Sequence, residues 1–510
     1  MSSTLSGGPL RPAPHRRLLF WVALLYFSEG LPLGLFYDLF PVHMRQTGVS
    51  PADIGLLSLL GLAWTVKFLW APVIEAWRGH KVWMAGANAG MAVVLGTLAM
   101  NPEALGQGQT WPWVLLAVFT VLSATNDIAT DGYTIEALTK EQYGVANGIR
   151  IGFYRMGMLA AGGTLIAASW LGSTGEPNWS AAYLLGAAVM VFNATCILAA
   201  PALPWRPKPA GERGGVGREW AMLRARPVWL LALGLFLSGL LWPVLGPVAK
   251  AADWSWILQF SGTWWFKGAV PVGLMMAGAG LMVVAARQPG SRVMEDGPVF
   301  GALAELLARR GMLAVLAFIL LFKLGDAAMG FMVKPFWVDA GFTPAEIGLV
   351  SVNLGLGLSI AGGLAGGWYV DRVGIFKGLW VLGLAQAASN LGYAAAAWYV
   401  PPGMAADEAI THYQLAVYGA SALESFTGGL GTGAFLAFLM GITSRARATT
   451  EYAILSSIFA FSRAVAGWAG GLGVQEMGYA AFFFITFWLS FPAYALLPAV
   501  RRMLDQPHER

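Results

Sequence analysis

An all-α polytopic membrane protein is the fold class this sequence predicts, with two six-helix halves, a two-helix hairpin between them and about fourteen spans. Three observations predict it: an apolar composition spread along the whole chain, basic residues confined to one set of loops, and an internal repeat. The 510 residues are 57% apolar and 12% charged, about half the ~25% charge of a typical soluble domain. Mean hydropathy is +0.61, so the apolar surplus is more than one anchor. These values exclude a soluble enzyme, a disordered chain and a secreted disulfide scaffold. Cys196 is the single cysteine, which rules out an intrachain disulfide and any multi-cysteine metal site. No metal site and no cofactor are expected. The 65 glycines fit helices that pack in a bilayer through small residues.

At about 20 residues per crossing, spans are expected near 18–40, 53–75, 82–100, 112–136, 143–170, 180–200, 228–248, 268–286, 311–333, 346–369, 376–398, 411–441, 449–472 and 479–500. The domains that follow are a tail at 1–17, an N-terminal bundle at 18–200, and a linker with the accessory hairpin at 201–310. A C-terminal bundle at 311–500 and a tail at 501–510 complete the chain. With the N-terminus inside, 23 of the 32 Lys and Arg fall in cytoplasmic segments, and only Arg45, Lys250, Lys267 and Lys334 in outer loops. That is a positive-inside pattern. The +5 charge therefore reports topology and not a nucleic-acid footprint. The first apolar run contains Glu29 and Pro32 and lacks a small-residue cleavage site, so it is a span and not a signal peptide.

The repeat is the most informative pattern. Residues 48–58, Gly-Val-Ser-Pro-Ala-Asp-Ile-Gly-Leu-Leu-Ser, match residues 341–351, Gly-Phe-Thr-Pro-Ala-Glu-Ile-Gly-Leu-Val-Ser, at seven of eleven positions. Each reads as a helix start: Ser50 or Thr343 caps, Pro51 or Pro344 opens, and Asp53 or Glu346 takes the capping-box position. A second echo places Phe153-Tyr154-Arg155 before Gly162-Gly163 and Phe461-Ser462-Arg463 before Gly470-Gly471, at the same spacing. With the hairpin set aside, span 2 corresponds to span 8 and span 5 to span 11. Parallel six-helix repeats describe the major facilitator architecture, with substrate held between the halves. Gly367, Asp371, Arg372 and Gly374 resemble that superfamily's loop after span 8, a conformational latch; the first-half counterpart, Glu75 through Arg78-Gly79, is degenerate. The hairpin's outer loop carries Trp254, Trp256, Trp264 and Trp265, which reads as an interfacial aromatic belt or a sugar-stacking surface.

Ionisable side chains inside the bilayer are functional candidates by default. Span 4 carries Asp127, Asp131 and Glu136, and span 5 carries Arg150 and Arg155. Depth from their common end matches Asp131 with Arg150 and Asp127 with Arg155. Two readings stand: a structural ladder of ion pairs, or a carboxylate that takes up a proton as its Arg partner engages an anionic substrate. Span 1 carries Glu29, and Asp38 close enough to its outer end to be solvated. Span 7 carries Lys323 and Asp326, spaced to pair with each other; Lys67 lies well inside span 2, and Glu424 and Arg463 could pair across spans 10 and 11. All five histidines, His15, His43, His80, His412 and His508, fall in loops, tails or span edges, so proton coupling would rest on carboxylates. There is no G-x-x-x-x-G-K-[ST] motif for a nucleotide, and Gly429 to Gly433 reads as close helix packing.

These residues resemble the AmpG-type anhydromuropeptide permeases of the major facilitator superfamily, over about 18–200 and 311–500. The similarity rests on Gly30-Leu31-Pro32, Lys67 through Pro72, Asn126-Asp127-Ile128 with Asp131, Tyr154 through Met158 and Lys323 through Ala327. It extends to Gln386 with Ser389 through Tyr393, and to Glu424 ahead of Gly428 through Thr432. Asn126 stands where those permeases usually carry Gln, and Glu29 is an unusual acid. The resemblance implies proton-driven import of N-acetylglucosaminyl-anhydromuramyl sugars and peptides across the bacterial inner membrane for wall recycling. It adds Asn126, Gln386 and Asn390 to the candidates named above. The implied partners are an anionic sugar-peptide, protons and the lipid bilayer, without nucleic acid, and a monomer is expected. A coenzyme A thioester or a small peptide is the alternative cargo. A membrane-embedded transferase is the alternative class, against which the histidine placement argues.

Overall fold

The computed structural model describes residues 15–67, 70–76, 79–138, 143–173, 176–201, 223–251, 254–255, 263, 265–287, 300–403, 411–443 and 448–505. Within them, nine helices are long and apolar enough to cross a membrane, and Pro51–Val66, Pro227–Gly239 and Val270–Ala286 are shorter apolar helices. One of the nine, Ile454–Tyr494, is a double crossing, broken at Gly478, where φ is +78°. Spans 11 and 12 are its two limbs.

Span 1 runs from His15–Gly34 through a π-helical turn, Leu35–Leu39, into Phe40–Gln46. Spans 3 to 6 are His80–Met100, Thr110–Ala137, Tyr143–Trp170 and Trp179–Ala199. Span 8 opens at Pro344–Glu346, passes through a π-helical stretch Ile347–Leu354 and continues as Gly355–Val373; spans 9 and 10 are Ile375–Tyr399 and His412–Ile442. The two repeated helix starts form as their sequences dictate. Ser50 Oγ accepts from the Asp53 N–H at 3.1 Å, and Thr343 Oγ1 from the Glu346 N–H at 3.3 Å, with Pro51 and Pro344 in the first turn.

Spans 2 and 7 are less regular than apolar periodicity predicts. Span 2 is divided into Pro51–Leu60, Leu62–Val66 and Ala71–Ala76, and Lys67 stands at the end of the middle piece. Span 7 is divided into Met312–Phe322 and Leu324–Asp339, with Lys323 between them in a non-helical conformation, φ −108° and ψ 16°. Each break therefore carries a lysine, one in each half.

The accessory hairpin, Pro227–Ala251 and Val270–Ala286, docks on the second half. Trp229, Ala285 and Ala286 share a buried cluster with Met312, Val315, Phe318 and Phe438, and the Phe236 ring lies 5.4 Å from that of Phe461 in span 11. Of the loop tryptophans, Trp254 and Trp265 are exposed, while Trp256 and Trp264 lie outside the described residues.

The halves meet most closely at the end of the bundle remote from the N-terminus. A Cβ on Gly55 of span 2 would lie 2.9 Å from the Gly471 Cα of span 11, and one on Gly348 of span 8 would lie 2.6 Å from the Gly162 carbonyl oxygen of span 5. Glycine is required there because any side chain would hold the helices apart. Gly55 and Gly348 are equivalent in the first repeat, and Gly162 and Gly471 belong to the second. The sequence repeat is thus a pseudo-two-fold that exchanges the halves. Near it, Ser58 Oγ donates to the Ala464 carbonyl at 2.7 Å, and the Ala345 N–H donates to Ser169 Oγ at 3.0 Å.

Candidate functional site

Between the halves, on the N-terminal side of this glycine closure, lies a cavity of about 400 Å³. Spans 1, 5, 7, 8, 10 and 11 line it. Its charged lining comprises Arg155, Lys323, Lys334 and Arg463 against Asp38, Asp326 and Glu424. Four basic groups face three acidic ones, an excess of one positive charge when all are ionised.

Some of these charges are matched by neighbours. Lys323 Nζ lies 3.5 Å from Asp326 Oδ2 and donates to Thr432 Oγ1 at 2.6 Å. The break in span 7 frees the lysine from the helix and lets it reach span 10. Lys334 Nζ lies 3.4 Å from Asp38 Oδ1 across the two halves and donates to Ser351 Oγ at 2.7 Å. The remaining groups are not so matched. Arg463 places its guanidinium 5.2 Å from the Tyr37 ring centre, a cation–π contact, and neither it nor Arg155 forms an ion pair with a described residue. Glu424 accepts only a long hydrogen bond from Ser425, 3.4 Å.

A second constellation sits within the N-terminal half. Glu29, Asp127 and Asp131 each bring a carboxylate oxygen within 4.8 Å of the other two. Lys67 forms an ion pair with Asp127. Arg150 lies 3.2 Å from Asp131 Oδ1 and 4.8 Å from the Tyr26 ring centre, while Tyr26 donates its hydroxyl to the same carboxylate at 2.8 Å. Asn126 is fully buried, accepts from Asn88 at 2.9 Å and donates to the Ser28 carbonyl at 3.3 Å, which ties span 4 to spans 3 and 1. Glu29 Oε2 is shielded from solvent and receives no hydrogen bond. Three carboxylates meet two cations, so the cluster carries one negative charge beyond its own compensation. One proton or one monovalent cation would balance it. This cluster adjoins the cavity, for Gly30 packs directly on the Tyr154 carbonyl and Tyr154 lines the cavity.

At the remote end a third set closes the bundle. Arg45 Nε donates to Asp339 Oδ1 at 2.6 Å, and the Tyr479 hydroxyl donates to Asp339 Oδ2 at 2.7 Å. Spans 1, 7 and 12 are joined at one carboxylate.

The expected pairs Asp131–Arg150 and Lys323–Asp326 are present. Asp127 pairs with Lys67 and not with Arg155, because equal depth on two helices leaves their rotation undetermined. Asp38 is not solvated: its side chain is 13% exposed and faces Lys334, which lies inside span 7 and not in an outer loop. Glu424 and Arg463 share the cavity without forming an ion pair. Gln386 and Asn390 are buried outside the cavity lining; Asn390 donates to Thr486 Oγ1 at 3.1 Å, bracing span 9 against span 12. His43 stands in the last turn of span 1, at its edge as expected, but it is not solvated. It is fully buried, 2.6 Å from the Tyr183 hydroxyl and stacked on Trp179. In the expected latch loop, Gly374 ends its helix at φ +86°, Asp371 is exposed and Arg372 stacks on Trp368 of its own helix at 4.0 Å. Neither charge forms an ion pair with a described residue of the other half. Glu136 lies 3.5 Å from His80. The contributions of Lys334, Asp38, Tyr26 and Arg45 went unread in sequence, and the signal for the first two was their placement within apolar helical runs.

Against this geometry, the family model described as Major Facilitator Superfamily matches residues 22–333. The anhydromuropeptide permease of Escherichia coli K12 is 26% identical over 491 residues, covering 94% of this chain and 79% of that protein. The resemblance drawn from individual motifs is borne out over nearly the whole length. Among solved structures, the POT family transporter PepTSo superimposes with a TM-score of 0.66 at 14% identity, covering 98% of this chain and all of its own. A D-xylose-proton symporter gives 0.54 at 12% identity, with 97% of each chain covered. These two likenesses show the fold alone.

Proposed function

This chain belongs to the Major Facilitator Superfamily, a family of membrane transporters, and on that premise we propose that it imports anhydromuropeptides or related anionic sugar-peptides for wall recycling. The similarity to the Escherichia coli permease supports the substrate class. The observation that carries the reading is the cavity between the halves, which holds more basic than acidic side chains behind a closed remote end. A polar anion finds there the charge it loses on leaving water. The positive-inside pattern supports an N-terminus in the cytosol of a bacterium, with both termini on that side of the inner membrane. In that orientation the remote closure faces outward and the structure corresponds to an inward-facing stage of alternating access, in a chain that works as a monomer.

Proton symport is part of the proposal. Glu29, Asp127 and Asp131 supply the site: one net negative charge, in a cluster whose Glu29 Oε2 is shielded from water, takes one proton. Binding of that proton removes a charge that is costly to bury, and its release on the cytosolic side resets the cluster. The experiment is uptake by energised vesicles. Labelled anhydro-disaccharide is expected to accumulate and a protonophore to abolish accumulation; uptake indifferent to the gradient would refute coupling. Replacing sodium with potassium at constant proton gradient should change nothing, whereas a sodium requirement would assign the cluster to a metal cation. Asp127→Asn, Asp326→Asn and Arg155→Gln are each expected to cut transport at normal membrane insertion.

A further inference from the structure

We propose that Arg155 and Arg463 act together as a clamp for one carboxylate of the substrate, the anion binding at the pseudo-two-fold axis between the halves. This rests on the transport reading above and adds the chemical group that the cavity reads.

Three observations place the clamp. The two arginines occupy equivalent positions of the second repeat, Phe153-Tyr154-Arg155 and Phe461-Ser462-Arg463. Arg155 lies seven residues before Gly162 and Arg463 eight before Gly471, the glycines that pack across the halves, hence roughly 10–12 Å from the closure at 1.5 Å per residue. Related by the same axis and at the same depth, they line one cavity from opposite halves. Neither forms an ion pair with a described residue, and Glu424 shares the cavity without pairing to either. Asp127, which depth alone assigns to Arg155, is taken by Lys67; Asp326 is taken by Lys323 and Asp38 by Lys334.

Two like charges held unpaired beside each other raise the energy of the empty protein, and an oxyanion between them removes that penalty. A carboxylate has two oxygens and about four lone-pair directions, enough for both planar guanidinium forks. Because one arginine belongs to each half, the bound anion would draw span 5 and span 11 together, and the empty site would push them apart. Binding would thus favour closure of the end nearer the N-terminus.

The test uses the full-length protein in detergent and reads ligand-induced thermal stabilisation. The probes are N-acetylglucosaminyl-anhydromuramic acid and an alanyl dipeptide, each as the free carboxylate and as its methyl ester. Wild-type protein is expected to bind at least one free acid about 10–100-fold more tightly than its ester. Arg155→Gln and Arg463→Gln are each expected to erase that difference, binding acid and ester alike, and the Lys variants to keep part of it. Without ligand, Arg155→Gln should melt at or above the wild-type temperature, since it breaks no ion pair with a described residue, and Arg463→Gln should lose no more than its cation–π contact with Tyr37. A clear drop for Arg155→Gln would mean that the arginines serve the fold, and would overturn the clamp. An acid–ester difference that survives both substitutions, or no such difference with any probe, would overturn it too. If the acid preference holds for the dipeptide and not for the sugar, the clamp stands and the muropeptide reading falls.

Discussion

Lys67 shows how much a single side chain settles. Its ion pair with Asp127 leaves Arg155 without an ion pair among the described residues, so the division between the acidic cluster and the cavity begins at this residue. Removing one member of a buried pair leaves the other uncompensated, at about 3–5 kcal/mol when both are fully buried. Here the lysine side chain is 30% exposed, and screening reduces the expected cost of Lys67→Met to about 1–3 kcal/mol. The Lys67→Met, Asp127→Asn double variant should be less unstable than the sum of the two single variants, as measured by thermal unfolding in detergent. Additive losses would mean that the pair does not couple. The sequence placed both residues within spans and marked both as candidates. It did not join them, because helical depth is a one-dimensional coordinate, whereas pairing also needs the rotation of each helix and the break that turns Lys67.

Elements carry the next layer. Helix starts and lengths follow from local chemistry, as the caps at Ser50 and Thr343 show. The breaks at Lys67 and Lys323 do not, since an apolar run with a single lysine has the same periodicity whether the helix continues or stops. The glycines of spans 2, 5, 8 and 11 belong to this scale. Gly471→Leu would place a branched side chain against Pro51 and Gly55 and force spans 2 and 11 apart. It should raise maleimide labelling of a cysteine introduced at Gln475 in the Cys196→Ser background and abolish uptake. Unchanged labelling would show that the closure does not depend on this contact. The same substitution at Gly163, where an added Cβ meets nothing within 4 Å, should be tolerated.

For the whole molecule, the proposed alternating access requires the two halves to exchange open ends. Arg45, Asp339 and Tyr479 bind spans 1, 7 and 12 at the remote end, with both charged side chains about a quarter exposed. An exposed pair is worth ~0.2–1 kcal/mol, and a buried one more. Asp339→Asn is therefore expected to shift the balance toward remote-end opening by about 1 kcal/mol, roughly five-fold in population. Spin labels on either side of the closure would show a longer-distance population; an unchanged distribution would mean that the glycine contacts alone hold this end. Asp371 and Arg372, the latch expected from sequence, should behave oppositely. Among the described residues they make no ion pair across the halves, so Asp371→Asn should leave the melting temperature of this state unaltered while slowing uptake.

By itself, the sequence determined the helical class, the repeat, most of the intramembrane charges (Lys334 and Asp38 excepted) and two of their pairings, Asp131–Arg150 and Lys323–Asp326. Those follow from composition and from neighbours along one helix or across one short turn, which are local properties. Only the tertiary structure decided the rest: Lys67 on Asp127, Lys334 on Asp38, Arg45 on Asp339, His43 in the core, and Arg155 and Arg463 in one cavity without an ion-pair partner among the described residues. Each of these depends on helices far apart in the chain and on the angle at which each turns its face. That angle is set by packing summed over many residues, and no single motif contains it.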